Sequence, residues 1–421
     1  MSGSGGESNP DAAARRAVER AARESYGRLV AFLAARTRDV AGAEDALADA
    51  FAAALQQWPE NGVPDNPDAW LLTVARRRST DALRRRATGL AHARDVRLIA
   101  EELDAASALS DDIPDRRLAL MFACAHPAIE PGIRTPLILQ TILGLTAAEI
   151  ASAFLVPPAT MGQRLVRAKT RLKDAGIAFS VPESRELPER LDAVLAAVYA
   201  AYTKGWSDTG DAAASQLADE AIWLGRVIVA LMPGEPEAKG MLALMLHTEA
   251  RRAARRDADG AYVPLEEQDT RLWNLAMIDQ AEALLSAASA SGPSGRCQIE
   301  AAIQSAHAAR RLAGAATWPA IVALYDILGE IAPSPVVALN RAVALGERDG
   351  PAAALAALDL AGADPRLADY QPYWAARAHL CARAGRSAEA AAAFTLAIGL
   401  TADPAVRRYL QRRQAQVAGA A

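Results

Sequence analysis

Five basic side chains, Arg164, Arg167, Lys169, Arg171 and Lys173, fall within ten residues, and no acid occurs between Glu149 and Asp174. Such a run is suited to holding anions, above all phosphate oxygens and the acceptor edges of bases. A second set, Thr73, Arg76, Arg77, Thr80 and Arg84, recurs at spacings that collect on one side of a helix. Hydroxyls and guanidinium groups are the residue types that bind phosphates and reach base edges. A third set is acidic and amidic: Asp45, Asp49 and Gln56 share one side of another helix. A solvated polar face is the alternative for the basic run taken alone, and the favoured reading for the acidic set taken alone.

The elements that must position these residues are legible from local chemistry. Thr146-Ala147-Ala148-Glu149 has the form of a capping box, which predicts a helix starting after Thr146 and running through Phe154. Pro157 and Pro158 end that element and suit the first turn of the next. In the second helix Met161, Leu165, Ala168 and Leu172 line one face, Thr160, Gln163 and Arg167 point away, and Arg164 and Arg171 lie on the flank. Two helices joined by a tight turn, the second apolar inside and basic outside, describe a helix-turn-helix. Further upstream, Leu47, Phe51, Ala54 and Trp58 make an apolar stripe opposite Asp45, Asp49 and Gln56. The next helix is expected near Asn66-Pro67, with Leu71, Val74 and Ala82 turned to a core. Between the two lies the turn-rich loop "PENGVPDN", Pro59 to Asn66, which is either a connector or a cradle for an extruded base.

Charge is distributed in blocks. Seven acids and no lysine or arginine lie between Asp39 and Asp68; eight arginines against Asp81 and Asp95 lie between Arg76 and Arg97; six acids and no base lie between Leu98 and Asp115. This alternation points to partners of both signs. Cys124, Cys297 and Cys381 are widely separated and form no CxxC pair, so neither a disulfide framework nor a zinc finger is expected. Cys124 and His126 lack the further ligands that a metal site needs nearby. His92, His126, His247, His307 and His379 are scattered, with no GxSxG, Walker or zinc signature. No catalytic residue, metal or cofactor is expected. No apolar run approaches a membrane span and the N-terminus has no signal-peptide core, so no membrane contact and a cytoplasmic location are expected.

"AEDALADAFAAALQQWPENGVPDNPDAWLLTVARRRSTDALRRR", followed after an acidic linker by "LTAAEIASAFLVPPATMGQRLVRAKTRL", resembles regions two and four of the extracytoplasmic-function sigma factors of bacterial RNA polymerase. More narrowly, "MFACAHPAI", "LMLHTEARRAARRDADGAYVPLEEQDTRLWN" and "APSPVVALNRAVAL" are similar to the subgroup with a long helical C-terminal extension bearing tetratricopeptide-like repeats. The resemblance implies a polymerase-docking role for Asp45, Asp49 and Gln56. It implies minus-ten recognition by Asn61, Asp65 and Asn66, where the loop captures a flipped base, and by Thr73, Arg76, Arg77, Thr80 and Arg84. For Thr160, Gln163, Arg164, Arg167 and Lys173 it implies minus-thirty-five recognition. The acidic linker would run through the basic RNA channel of the polymerase. Lys204 stands where the subgroup usually has an acid, a departure that removes support from any special role of "AAYTKGW".

The expected architecture is all-α. Residues 1–14 form a disordered tail, 15–86 sigma region two, 87–112 the acidic linker and 113–180 region four with its helix-turn-helix. A helical domain over 181–330 and repeats with a capping helix over 331–421 follow. "ALNRAVALGERDGPAAALAAL" and "WAARAHLCARAGRSAEAAAAF" align at a shift of about 35 residues, with Gly350 and Gly385 at the turns. The expected partners are core RNA polymerase, promoter DNA, and a protein or intramolecular contact of the C-terminal domain. A stand-alone helix-turn-helix regulator is the alternative; it would need a dimerisation element but not the acidic helix and its loop.

Overall fold

A computed structural model describes residues 10–37, 40–84, 116–174, 182–207, 212–292, 294–314 and 317–419. Among the described residues the fold is all-α, without a strand, and the sole pairing of strand type is an isolated antiparallel bridge between Arg256 and Tyr262. The chain divides into two compact units between Ala201 and Tyr202.

The first unit begins with α1 (Pro10–Glu24), α2 (Tyr26–Thr37), α3 (Val40–Asn61) and α4 (Pro67–Arg84). Residues 10–14, expected in a disordered tail, are helical, and Ala14 is fully buried. Helix α3 packs on α1, α2 and α4. Leu47, Ala54 and Trp58 of its stripe are buried among Leu29, Leu33, Leu71 and Leu72, so apolar burial holds this bundle together. Asn66 starts α4 as its side chain accepts the Ala69 N–H at 3.0 Å, and Pro67 occupies the first turn.

The same unit continues with α5 (Arg116–Cys124), α6 (Pro131–Thr141), α7 (Ala147–Ala153), α8 (Pro158–Asp174) and the first part of α9 (Leu187–Ser207). The expected capping box is present: Thr146 Oγ1 accepts from the Glu149 N–H at 3.3 Å, and Glu149 accepts from the Thr146 N–H at 2.7 Å. The opening of α9 is tied to the preceding helices rather than free to start a new domain. The buried Arg190 donates to the Phe122 carbonyl at 3.2 Å and to Glu186 at 3.1 Å, while Thr135 donates to the Ala193 carbonyl at 3.2 Å. Helix α2 meets this second half at Gly27, where an added Cβ would collide with the Ile142 carbonyl oxygen.

The second unit carries α10 (Ala212–Leu231), α11 (Pro236–Glu249), α12 (Leu275–Ser289), α13 (Arg296–Ala308), α14 (Arg310–Ala313) and α15 (Trp318–Ile331). Glu237 of α11 caps α13, accepting from the N–H groups of Cys297 at 2.8 Å and Gln298 at 3.2 Å, so its charge sits at the positive end of that helix. Two helical hairpins follow, α16 (Pro335–Asp349) with α17 (Pro351–Ala361) and α18 (Gln371–Arg383) with α19 (Ser387–Leu400); α20 (Pro404–Gly419) closes the row. Gly350 and Gly385 turn the hairpins with φ of 92° and 71°, a conformation that glycine adopts without a Cβ penalty. Leu339, Leu355, Leu358, Leu380, Phe394 and Leu410 form a shared core.

Candidate nucleic-acid interface

The basic run lies on α8. Its inner face follows the expected pattern: Met161, Leu165 and Ala168 are buried, and the side chain of Leu172 lies outside the described residues. The turn from α7 is made with Leu155 at φ 51°, an uncommon value for a side chain with a Cβ. It is stabilised as Val156 N–H donates to the Ala151 carbonyl at 3.0 Å.

Gln163, Arg164, Arg167 and Arg171 are exposed, and Thr160 is half-buried at the start of the helix. Arg164, Arg167 and Arg171 pair with no carboxylate among the described residues; the contact that Arg167 makes is to Gln163 Oε1 at 3.5 Å. Val166, 65% exposed, adds an apolar spot between them. Lys169 departs from the run. It points inward and forms a largely buried ion pair with Glu44 of α3. The charge that looked like one more outward cation therefore joins α8 to α3. Lys173 lies on α8 with its side chain outside the described residues.

The second set divides. Arg76 and Arg77 are half-buried on α4. Thr73, expected beside them, is 5% exposed, and its hydroxyl donates to the Ala69 carbonyl at 2.7 Å. It faces the interior because the buried side of α4 spans Leu71, Leu72 and Thr73 together. Thr80 and Arg84 lie on α4, with side chains outside the described residues.

Asn61 ends α3, and Gly62 reverses the chain at φ 82°. Asn61, Asp65 and Asn66 are exposed in and beside the loop, with Val63 at 37%. The two ends of the loop are pinned by Trp58 and Trp70, whose rings meet edge to face at 5.4 Å. The polar tips thus stand on an apolar base. Asp68, just beyond, accepts from the Ser25 hydroxyl at 2.7 Å and fixes the start of α4 to the α1–α2 junction.

Asp45, Asp49 and Gln56 are exposed on the far side of α3 from its buried stripe. Leu55, 47% exposed, lies beside Gln56 and makes this face mixed rather than purely acidic. The acidic block from Leu98 to Asp115 lies outside the described residues. Among the described residues no cluster of histidine, cysteine or carboxylate could hold a metal, and no helix is long and apolar enough to cross a membrane. Cys124 is fully buried, and burial raises its thiol far above the ordinary range, leaving it an inert core residue.

Comparison with known proteins bears on both units. Residues 22–88, which include the acidic helix, the loop and α4, match sigma-70 region 2. Residues 190–289 match a family of unknown function, DUF6596. No solved structure matches. An uncharacterized protein of Rhizobium meliloti (strain 1021), R00370, is 39% identical over 381 residues, covering 88% of each chain. Sigma-70 region 2 implies binding to core RNA polymerase and promoter DNA in transcription initiation. With α3, its loop and α4 inside that match, and a relative aligned along most of both units, the chain carries a sigma-70 region 2 domain and belongs to one family with the R. meliloti protein.

Proposed function

We propose that the protein is a cytoplasmic sigma factor of the extracytoplasmic-function class that docks on core RNA polymerase and reads a bipartite promoter. Asp45, Asp49 and Gln56 form the polymerase face. The loop from Asn61 to Asn66, with Arg76, Arg77, Thr80 and Arg84 on the following helix, engages the minus-ten element. Helix α8 is the second helix of a helix-turn-helix and reads the minus-thirty-five element through Thr160, Gln163, Arg164, Arg167 and Lys173. Thr73 drops out of this set because it is buried. The observation that carries the reading is the pair of outward faces in one unit: exposed arginines without carboxylate partners on α8, and an exposed acidic face on α3.

The second unit is a regulatory extension whose hairpins are tetratricopeptide-like and on which activity depends. Members of the sigma-70 family are transcription factors rather than enzymes, and the activity to measure is promoter-specific initiation. Purified protein mixed with core polymerase is expected to give a discrete transcript from sequences selected from its own genome. Failure to bind core, with DNA binding retained, would favour the stand-alone regulator. Dependence on the extension is read from a chain ending after Ser207. A cut at Ser180 would remove Arg190 and Ala193, whose hydrogen bonds tie α9 to α5 and α6. The extension is required if the shorter chain stays folded and loses transcript yield; equal yield removes that part of the proposal.

A further inference from the structure

The run Arg251-Arg252-Ala253-Ala254-Arg255-Arg256 follows α11, and the sigma-factor reading uses none of it. Its four arginines have different fates. Arg252 pairs with Glu249, and Arg256 pairs with Asp403 at 2.6 Å. Arg255 has no carboxylate partner among the described residues: its guanidinium lies 3.4 Å over the Trp206 ring and donates to the Trp206 carbonyl at 2.6 Å. Burial, with Arg256 and Arg252 nearby, pulls its pKa down to about 10.

Arg255 and Arg251 line a cavity of about 250 Å³ lying wholly within the second unit. Among the described residues the wall contains no aspartate or glutamate. Its aromatic parts are Trp206, Tyr262 and Tyr325; its neutral polar parts are amides and His307. Burial, with Arg251 and Arg310 nearby, lowers His307 to about 4, so the imidazole adds hydrogen-bonding capacity without charge at neutral pH. Two lining residues hold buried polar atoms without hydrogen-bond partners, Trp206 Nε1 and Gln268 Oε1, the kind of orphan that calls for an explanation.

The wall is also built rather than incidental. Val263 N–H donates to the Arg255 carbonyl at 2.9 Å, and Asp257 accepts from the Asp259 and Ala261 N–H groups at 3.0 and 2.8 Å, closing the tight loop that presents Tyr262. Arg310 stacks over Trp273 and donates to the Leu265 carbonyl at 2.7 Å, which fixes the segment bearing Gln268. Gln304 accepts from Arg251 at 2.6 Å, orienting that guanidinium on the wall.

We propose that this cavity is a binding site for a small organic anion, whose carboxylate or phosphate meets Arg251 and Arg255 and whose planar body lies among Trp206, Tyr262 and Tyr325. At about 250 Å³ the cavity falls below the ~300–1,000 Å³ of drug-sized sites, so the ligand is metabolite-sized. A half-buried guanidinium without a carboxylate partner, such as Arg255, is stabilised when an anion supplies the counter-charge. The residues from 206 to 268 lie in the segment shared with the family of unknown function, whereas His307, Tyr325 and Asn340 come from beyond it. The site does not depend on the sigma-factor reading.

The test is calorimetric titration of the full chain with 4-hydroxybenzoate, phenyl phosphate and inorganic phosphate, with 4-hydroxybenzamide as the neutral control. The expected result is saturable 1:1 binding of the carboxylate or the phosphate ester, whichever is the true class, and none of the amide. Arg255→Gln should weaken it by about tenfold or more. Because Arg255 also packs on Trp206, Asn340→Glu is the second variant: residue 340 is exposed at the cavity on α16, so a carboxylate there fills the site with negative charge while the fold persists. It should abolish binding with the helical circular dichroism and melting temperature unchanged. No saturable binding of either organic anion at millimolar concentration, equal binding by folded Asn340→Glu, or binding of inorganic phosphate as tight as phenyl phosphate would overturn the proposal.

Discussion

Arginine is used in two ways in the two units. On α8, Arg164, Arg167 and Arg171 project outward with no carboxylate partner among the described residues. In the second unit the arginines are mostly spent within the fold. Arg341 pairs with Asp326 and Arg377 with Asp359, both at 2.5 Å, and Arg383 joins Glu347 across neighbouring hairpins. An internally paired guanidinium helps to fix a helix register and offers little to an outside anion. An exposed, unpaired one contributes little to the fold and retains its full capacity for phosphate. The contrast separates a recognition surface from a scaffold more sharply than net charge does, and Arg255 differs from the ion-paired arginines of its own unit in having a ring and a carbonyl as partners.

The contrast can be broken first at the inner side of α8. Leu165 is 1% exposed, and Leu165→Ala should cost about 2–5 kcal/mol of stability by leaving a cavity. Chemical denaturation checks this, and a loss below about 1 kcal/mol would show that α8 is not packed as described. Next in size is acidification. Burial holds His247 and His307 down to about 4, below the ordinary value near 6.5. A histidine with a lowered folded pKa contributes stability above pH ~6.5 that is lost as pH falls towards about 4, up to about 3 kcal/mol each. The melting temperature of the full chain should therefore fall across that window, and His307→Gln should flatten part of the fall. Both histidines belong to the second unit, so this loss does not alter the charge on α8.

Arg167→Ala tests the outward side directly. It should leave the melting temperature unchanged and weaken promoter binding by about 1–3 kcal/mol, with relaxed preference at one base position if the contact is to a base edge. Equal weakening on every sequence, with a salt slope reduced by about one, makes it a phosphate contact. The smallest effect is expected from Arg377→Ala in the second unit. Its pair with Asp359 is partly exposed, so the change should cost about 0–1 kcal/mol of stability and leave DNA binding untouched.

The legible features were those decided by neighbours in the chain. The capping box at Thr146 and Glu149, the proline start of α8 and the glycine turns at 350 and 385 follow from local backbone chemistry. Thr73 could not be placed from spacing alone because it borders a wide apolar face, and a hydroxyl can satisfy itself on its own helix as readily as reach outward. Lys169 was legible as a cation but not as an inward one, since its partner Glu44 is 125 residues away. The cavity around Arg255 was illegible for the same reason: its wall is assembled from residues 206 to 340. The arginine run was visible, but only the fold shows which of its members lack an acid.

Gly27 packs so closely on the Ile142 carbonyl that a single methyl group cannot be accommodated between them. In population terms, this close approach favours the arrangement in which the α1–α4 bundle meets the part bearing α8 over a state with the two apart. A partner that requires them separated must bind that state more tightly, by about 5.5 kcal/mol to turn a 1:99 ratio into 99:1. Residue 27 lies on neither α3, α4 nor α8, so Gly27→Ala lowers this threshold without altering a proposed contact. It is a lever on the arrangement alone, and small-angle scattering would register its action as a larger radius of gyration at unchanged helix content.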